Sequence, residues 1–291
     1  MDGKFLKTIK RLGNKYKFLK NNPVWIIARH LYCSYTLYKI SRFYAKNTER
    51  IAAVANMLAD EKSKDTYLGI IKFRQTYKEK DYPFSCYEES QYFIEELKLN
   101  ENEVFIDCGA YTGDTIDVFL SQTDGKYAQI IAFEPCLENF AKLQEKHGSN
   151  SKITLINAGV YDKDGDVCFD VGHLQPHHGG GFGGAKIVDD SNIGIQVKKI
   201  DNLNLTNVSF IKMDIEGAEL NALKGARQTI LRDKPKLAIS IYHSEDDMIR
   251  IAEYVRNLES EYKLYVRHHG KYLSEMARTA RCETVLYALP Y

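Results

Sequence analysis

The sequence predicts an α/β protein with a doubly wound, mostly parallel sheet, an antiparallel last strand and a helical N-terminal extension. From residue 100 onward, short apolar runs alternate with helix-like segments, which is typical of parallel strands joined by crossover helices. Several of these runs end in an acidic residue. The last two strand-like runs, 262–268 and 283–289, have no long helix between them, which predicts an antiparallel pair.

The individual elements follow from this alternation. We predict helices over 4–20, 24–46 and 48–77, a loop over 78–90, strands over 104–109, 129–134 and 153–158, and helices over 113–122 and 137–147. A turn signal at 162–166 predicts a hairpin, and strands follow over 195–200, 208–213 and 236–242, with helices over 218–231 and 245–258.

The first strand and the loop after it are the centre of this pattern. Residues 104–106 are apolar, Asp107 follows them, and Gly109 and Gly113 lie in the turn before the next helix. Glycines let the backbone approach a ligand closely, and a helix N-terminus offers unpaired N–H groups. The spacing D-x-G-x-x-x-G is not the dinucleotide fingerprint G-x-G-x-x-G, which disfavours a nicotinamide-dependent oxidoreductase.

Polar side chains also follow the other parallel strands. Glu134 follows the second strand, Asn157 closes the third, Asp214 follows the fourth and His243 follows the fifth. Because carboxyl ends of parallel strands meet at one edge, we expect these side chains to lie together. A carboxylate after the second strand suits the two hydroxyls of a ribose, which predicts an adenosine-type ligand.

Four segments resemble one known family, the FkbM-type S-adenosylmethionine-dependent methyltransferases. They are Phe105-Ile106-Asp107-Cys108-Gly109-Ala110, Phe133-Glu134-Pro135, Asn157-Ala158-Gly159-Val160 and Lys212-Met213-Asp214-Ile215-Glu216-Gly217-Ala218-Glu219. The resemblance extends over roughly residues 50 to 290. It implies a class I methyltransferase Rossmann-like fold, S-adenosyl-L-methionine as cofactor, and O-methylation of a sugar, a surface glycan or a secondary metabolite.

The resemblance supports a role for each strand-end residue. Asp107 and the N–H groups from Gly109 to Gly113 would hold the methionine end, Glu134 the ribose, and Asn157 the adenine edge or the ribose. Asp214 would face the methionine ammonium or the substrate. The predicted cofactor-binding residues are Asp107, Gly109, Ala110, Tyr111, Gly113, Thr115, Glu134, Pro135, Asn157 and Asp214.

Methyl transfer to a hydroxyl also requires removal of its proton. The predicted catalytic residues are His243, Asp214 and Glu216, with His243 as the preferred base. Glu216 and Glu219 are three residues apart and would share one face of a first helical turn, where acids also simply stabilise a helix. A divalent cation held by Asp214, Glu216 and His243 is an alternative, which we do not favour because no Asp/Asn cluster follows the fifth strand.

The charge distribution distinguishes the N-terminal extension. Residues 1–50 contain 12 Lys and Arg and two acids, a net charge of +10, so the remaining chain carries −9. Two interpretations stay open: peripheral contact with an anionic membrane or glycan, and a packing or homodimer element. We predict a helical basic extension over 1–90, a methyltransferase domain over 91–291, and no nucleic-acid partner.

The sequence predicts a cytoplasmic location, with the inner face of the membrane as the alternative if the basic arm binds lipid. No run reaches the roughly 18 apolar residues of a membrane span, and no secretory signal is recognisable. The six cysteines form no C-x-x-C pair, as expected of reduced thiols. A glycine-rich segment, 179–184, follows His173, His177 and His178, and is either a substrate lid or a plain loop.

Two further functional classes remain as alternatives. One is a Rossmann-type oxidoreductase, and the other is a catalytically inactive methyltransferase fold that serves as a scaffold. Four strands end in a polar side chain that could bind a ligand, which disfavours the inactive scaffold. These residues are Asp107, Glu134, Asn157 and Asp214.

Overall fold

The structure is a computed structural model that describes residues 23–170, 186–187, 194–270 and 283–290. The helices are α1 (Pro23–Lys46), α2 (Thr48–Met57), α3 (Glu61–Thr76), α4 (Asp114–Gln122), α5 (Leu137–His147), α6 (Glu219–Gly225), α7 (Arg227–Asp233) and α8 (Asp247–Leu258). The strands are β1 (Val104–Cys108), β2 (Gln129–Phe133), β3 (Ile153–Ile156), β4 (Gly159–Val160), β5 (Gly165–Asp170), β6 (Lys186–Ile187), β7 (Gly194–Lys198), β8 (Phe210–Met213), β9 (Lys236–Ser240), β10 (Tyr262–His268) and β11 (Thr284–Pro290). Among the helices of these described residues, none combines the length and apolar character that a membrane span requires.

Seven strands form the main sheet in the order β10-β11-β9-β8-β1-β2-β3. β1 runs parallel to β2 and β8, and the parallel pairing continues to β3 on one side and β9 on the other. β11 runs antiparallel to both β9 and β10. The predicted doubly wound sheet with an antiparallel last strand is therefore confirmed. The carboxyl ends of the parallel strands and the amino end of β11 meet at one edge.

The two faces of the main sheet are covered by separate apolar clusters. Ile106 and Ile211 belong to one cluster, and Phe105 and Phe210 belong to the other. The rings of Phe105 and Phe210 stack with centroids 4.7 Å apart. Because side chains alternate along a strand, Asp107 and its register partner Lys212 share the face of these two phenylalanines.

The helices before the sheet pack against α8 and share the apolar cluster on one face of the sheet. Ile40 and Tyr44 of α1 belong to the same apolar cluster as Met248 of α8. The guanidinium of Arg50 lies 2.6 Å from the carboxylate of Glu253 on α8. The described part of the predicted 1–90 extension thus shares a core with the rest of the chain, and the boundary at residue 90 stays a prediction.

The four short strands of a second sheet have the order β4-β7-β5-β6. The predicted hairpin between β4 and β5 is wrong, because β7 lies between these two strands and pairs with both. The carboxylate of Asp164 accepts the Lys199 N–H at 2.7 Å and the Asn202 side-chain amide at 2.8 Å. These bonds hold the predicted turn against the end of β7.

Each of two segments predicted to form a single helix forms two helices in the structure. The segment 48–77 forms α2 and α3, because the backbone is extended at Leu58 and Asp60 then caps α3 by accepting the Ser63 N–H at 2.7 Å. The segment 218–231 forms α6 and α7, which meet at Ala226. There the chain passes so close to Tyr161 that a Cβ on Gly225 would lie 2.0 Å from the Tyr161 carbonyl oxygen.

Two other predictions, the helix over 4–20 and the lid formed by His173, His177, His178 and residues 179–184, lie outside the described residues.

Candidate active site

A tight loop between β1 and α4 forms one wall of the site. Gly109 and Gly113 have φ angles of +85° and +88°, which side chains rarely adopt. A Cβ on Gly109 would lie 2.1 Å from the backbone oxygen of Asp214. The N–H groups of Gly109 and Ala110 both donate to the Phe133 carbonyl, at 3.0 and 2.9 Å. The loop is therefore held between β2 and the end of β8, and position 109 requires glycine.

Hydrogen bonds inside the loop change one expectation from the sequence. Besides the two N–H groups just described, the Tyr111 N–H donates to Glu134 at 2.9 Å and the Gly113 N–H donates to the Ala110 carbonyl at 2.8 Å. These groups are already used and do not serve as free donors to a methionine carboxylate. The first turn of α4, which contains Thr115, offers N–H groups that have no partner within the helix.

A buried ion pair lies beneath the loop. Asp107 Oδ1 is 3.0 Å from Lys212 Nζ, with side chains 0% and 3% exposed. The Lys212 ammonium also donates to the Gly109 carbonyl at 2.8 Å. Burial raises the pKa of Asp107 although the charge of Lys212 opposes it. Burial alone would lower the pKa of Lys212, but the neighbouring carboxylates raise it. Asp107 thus supports the loop from below.

Glu134 follows β2 and is nearly excluded from solvent. Its two oxygens accept the N–H groups of Tyr111 and Cys136, at 2.9 and 2.8 Å. Burial raises the pKa of Glu134, although these N–H groups lower it. The Asn157 amide donates to the backbone oxygens of Glu134 and Pro135, at 2.8 and 3.3 Å. Asn157 therefore fixes the turn after β2. The Asn139 side chain also hydrogen-bonds Glu134, and the carboxylate keeps one lone pair for a ligand.

Asp214 follows β8 and is surrounded by hydrogen-bond donors. The Tyr92 hydroxyl donates to its Oδ2 at 2.6 Å, and the Tyr242 hydroxyl lies 3.0 and 3.2 Å from its two oxygens. Burial alone would raise the pKa of Asp214, but the charges of His243 and Lys212 and the two hydroxyls hold it below its ordinary value. Asp214 is therefore a fixed carboxylate.

His243 lies between acidic side chains. Its Nδ1 is 3.0 Å from Glu219 Oε1, and its Nε2 is 3.3 Å from Asp214 Oδ1 and 3.7 Å from Glu216 Oε2. Glu219 is completely buried, and its Oε1 also accepts the Ile215 N–H at 2.8 Å. The sequence predicts Glu219 and Glu216 on one face of a helical turn, whereas Glu216 lies before α6 with a left-handed φ of +58°.

The protonation state of His243 follows from these neighbours. Burial alone would lower its pKa, but Glu219 first, and then Asp214 and Glu216, raise the pKa of His243 to about 10. The imidazole is then protonated at neutral pH, a state that cannot take a proton from a hydroxyl. The role of His243 as general base stays a prediction that this geometry does not favour.

The same cluster has the spacing of a cation site. Asp214, Glu219 and His243 each offer one ligand atom, and these atoms lie within 4.8 Å of one another. Two carboxylates and a neutral imidazole suit a divalent cation such as Mn²⁺, so a cation bound here would displace the proton from His243. Glu219 takes the place that sequence analysis gave to Glu216 in such a ligand set.

Arg74 of α3 reaches the site from outside the sheet. Its guanidinium, 3% exposed, donates to the carbonyls of Tyr242 at 2.5 Å and Ser244 at 3.3 Å. These two carbonyls flank His243 in the chain. The leading helices therefore fix the loop that carries His243.

The structure brings all the predicted strand-end residues to one edge and adds several that the sequence analysis missed. Lys212 had a visible signal, because a lysine inside the apolar run 210–213 needs a buried acidic partner. Tyr92, Tyr242 and Arg74 had no comparable signal, since only the folded chain brings them to Asp214 and His243.

Comparison with known proteins identifies the fold and the family. The model of the methyltransferase FkbM domain matches residues 107–270, more than half of the chain. The chain belongs to the FkbM methyltransferase family. The resemblance found in the sequence is thus confirmed. Tyr92 and Arg74 lie outside the matched FkbM domain.

Two relatives illustrate the family. The crystal structure of methyltransferase FkbM from Methylobacillus flagellatus KT has a TM-score of 0.70 and 29% identity, covering 85% of this chain and 60% of that one. The 2-O-methyltransferase NoeI of Sinorhizobium fredii is 24% identical over 165 residues, which cover 48% of this chain and 64% of NoeI. The matches thus span less than two thirds of the length of either FkbM relative.

Proposed function

We propose that this FkbM methyltransferase transfers a methyl group from S-adenosylmethionine to a hydroxyl of a sugar, glycan or secondary metabolite. The observation that carries the proposal is the acidic carboxyl edge of a methyltransferase sheet, where Glu134 and Asp214 lie beside a glycine loop. A cationic sulfonium donor is stabilised by such surroundings. The similarity to NoeI, a 2-O-methyltransferase, supports oxygen as the acceptor.

In this proposal the donor lies along the edge from β2 to β8. Glu134 binds a ribose hydroxyl with its remaining lone pair, and Asn157 positions Glu134. The glycine loop gives the donor close access to the backbone, and Asp214 attracts its positive charge. The protein then mainly orients the acceptor hydroxyl in line with the methyl group and excludes water.

The test is calorimetric titration with S-adenosylhomocysteine, with NAD as the matched control ligand. We expect S-adenosylhomocysteine to bind and NAD not to bind. Binding of NAD alone would favour an oxidoreductase. Methyl transfer is then measured with labelled S-adenosylmethionine and a panel of methyl glycosides and hydroxylated metabolites. Binding without transfer to any acceptor, including amines, would favour the inactive scaffold.

A chelation experiment decides whether the Asp214, Glu219 and His243 cluster holds a cation. If transfer depends on a metal, EDTA abolishes activity and Mg²⁺ or Mn²⁺ restores it. If the residues act alone, EDTA leaves the rate unchanged. Electron paramagnetic resonance then compares Mn²⁺ binding to the wild type and to the Glu219→Gln variant. Weaker binding to the variant assigns the cation to this cluster, and equal binding indicates adventitious sites.

We also propose that the basic arm contacts an anionic membrane surface. Exposed side chains on α1 include Tyr38, Lys39 and Arg42. Each basic side chain near anionic lipid contributes about 1 kcal/mol, screened by salt. Since Ile40 and Tyr44 are buried in the core, the deletion for this test covers residues 1–22 alone. We expect full-length protein to co-sediment with anionic liposomes at low salt more than the variant that lacks residues 1–22. Co-sedimentation of the full-length protein that salt does not weaken, or none at low salt, would leave the arm as a packing or homodimer element.

A further inference from the structure

Glu283 lies at the carboxyl edge of the sheet beside the predicted catalytic residues. In the β9–β11 pairing Val285 is opposite Ser240, and the Ile241 N–H donates to the Thr284 carbonyl at 2.9 Å. This register brings Glu283 level with Tyr242, one residue before His243. Glu283 therefore reaches the site from the antiparallel strand, outside the matched FkbM domain.

The carboxylate of Glu283 is connected to Asp214 through two side chains. Its Oε2 accepts the Gln91 amide at 2.5 Å, and the same amide donates to the Tyr92 hydroxyl at 3.0 Å. That hydroxyl in turn donates to Asp214 at 2.6 Å. Gln91 and Tyr92 thus link the carboxylates of Glu283 and Asp214 through a chain of hydrogen bonds, which fixes the position of both.

The backbone at Glu283 is unusual for a glutamate. Its φ is +61°, in the left-handed region that non-glycine residues rarely adopt. The backbone is held there because the His269 N–H donates to the Glu283 carbonyl at 2.8 Å. Glu216, with a φ of +58°, has the same backbone conformation, so the left-handed backbone does not by itself separate these two acids.

Most other carboxylates at this edge already have strong partners. Asp107 is paired with a buried lysine, and Glu134 accepts two backbone N–H groups. Asp214 accepts two tyrosine hydroxyls, and Glu219 is completely buried beside the imidazole. Glu216 is the remaining rival, with a side chain 38% exposed and 3.7 Å from His243.

We propose that Glu283 is the catalytic base that takes the proton from the acceptor hydroxyl. The inference rests on the proposed O-methyl transfer. The hydroxyl oxygen forms a bond to the methyl carbon as the carbon–sulfur bond of the sulfonium breaks, and the donor leaves as a neutral thioether. The hydroxyl proton passes to the Glu283 carboxylate. Because Glu283 is only half-buried, water can then remove that proton.

The electrostatic environment fits this role. Burial and the negative charge of Asp214 raise the pKa of Glu283, helped by Glu216, whereas the Gln91 hydrogen bond and His243 lower it. A carboxylate with a raised pKa is a stronger base at neutral pH than an ordinary glutamate.

The experiment compares two variants that each replace a glutamate by glutamine. Glu283→Gln changes the proposed base, and Glu216→Gln changes the other candidate. With labelled S-adenosylmethionine and a methyl glycoside that the wild type accepts, we expect Glu283→Gln to lower kcat by about 10²–10⁴-fold. Its affinity for S-adenosylhomocysteine should equal that of the wild type. The acidic limb of the wild-type pH–rate profile should disappear, and Glu283→Asp should recover part of the rate.

A second measurement does not need an acceptor. Carbon-13 NMR of labelled glutamate, assigned with the Glu283→Gln variant, should show Glu283 titrating above its ordinary value in the S-adenosylhomocysteine complex. Titration at or below that value would overturn the proposal, as would a wild-type kcat in Glu283→Gln. A selective loss of rate in Glu216→Gln would assign the base to Glu216. Failure of the wild type to bind S-adenosylhomocysteine would instead contradict the proposed function, and the NMR titration of the free protein would still test Glu283.

Discussion

The Lys212→Met substitution tests the ion pair beneath the glycine loop. In the wild type the ammonium lies 3.0 Å from Asp107, and both side chains are almost completely buried. At an effective dielectric constant of about 20, opposite charges at this distance attract by about 5 kcal/mol. Methionine keeps most of the side-chain length and removes the charge. We expect the free energy of unfolding to fall by about 3–5 kcal/mol at neutral pH, because Asp107 is left buried without a partner.

The loss of stability in Lys212→Met should depend on pH, because it depends on the charge of Asp107. Burial already raises the pKa of Asp107, and loss of Lys212 raises it further. A folded-state pKa above the unfolded value stabilises the protein at low pH and ceases to do so as pH rises through the folded pKa. The difference between Lys212→Met and the wild type should therefore be smaller at about pH 5 than at about pH 8.

Urea unfolding at both pH values measures the effect, with two controls. Lys146→Met removes an exposed lysine from its pair with Asp117 and should change stability by less than about 1 kcal/mol. Asp107→Leu combined with Lys212→Met removes both charges and should recover most of the loss. The reasoning is refuted if Lys212→Met is no less stable than Lys146→Met, or if the double variant is as unstable as the single one.

Three further predictions concern the rest of the edge. Gly109→Ala should lower the melting temperature and abolish S-adenosylhomocysteine binding, because its Cβ would lie 2.1 Å from the Asp214 backbone oxygen; normal binding would contradict this. Glu134→Ala should weaken that binding by about 1.5–3 kcal/mol in calorimetry, the range for a hydrogen bond to a charged group, and unchanged affinity would remove the ribose role. Nitrogen-15 NMR should find His243 protonated up to about pH 10, and Glu219→Gln should lower that pKa. Since the folded pKa exceeds the unfolded value of about 6.5, the stability that His243 contributes should fade between about pH 6.5 and 10.

Much of the fold was predictable because local pattern and global architecture agree. The acid after β2 and the acid after β8 lie where parallel strands end, so their positions follow from strand boundaries alone. The antiparallel pairing of β10 and β11 followed from the lack of a long helix between them in the sequence. The failed hairpin shows the limit, since β4 and β5 are separated by β7, which lies some thirty residues away in the sequence.

The site was less predictable because its chemistry depends on contacts between distant segments. Sequence analysis found His243 but not its protonation state, which Glu219 and Asp214 determine through distances of 3.0 and 3.3 Å. It found the glycine loop but expected free N–H donors that the structure uses internally. Glu283 reads as an ordinary surface acid until the register of β11 places it beside Tyr242.

The contacts of Arg74 make the leading helices and the loop after β9 depend on each other. One guanidinium bridges the hydroxyl of Tyr44 and the carbonyls on either side of His243, so α1, α3 and the loop after β9 are mechanically coupled. An exchange of the leading helices between relatives would succeed only if the arginine and the loop were inherited together. The loop that carries His243 therefore keeps its shape only while Arg74 and its three acceptors are retained together.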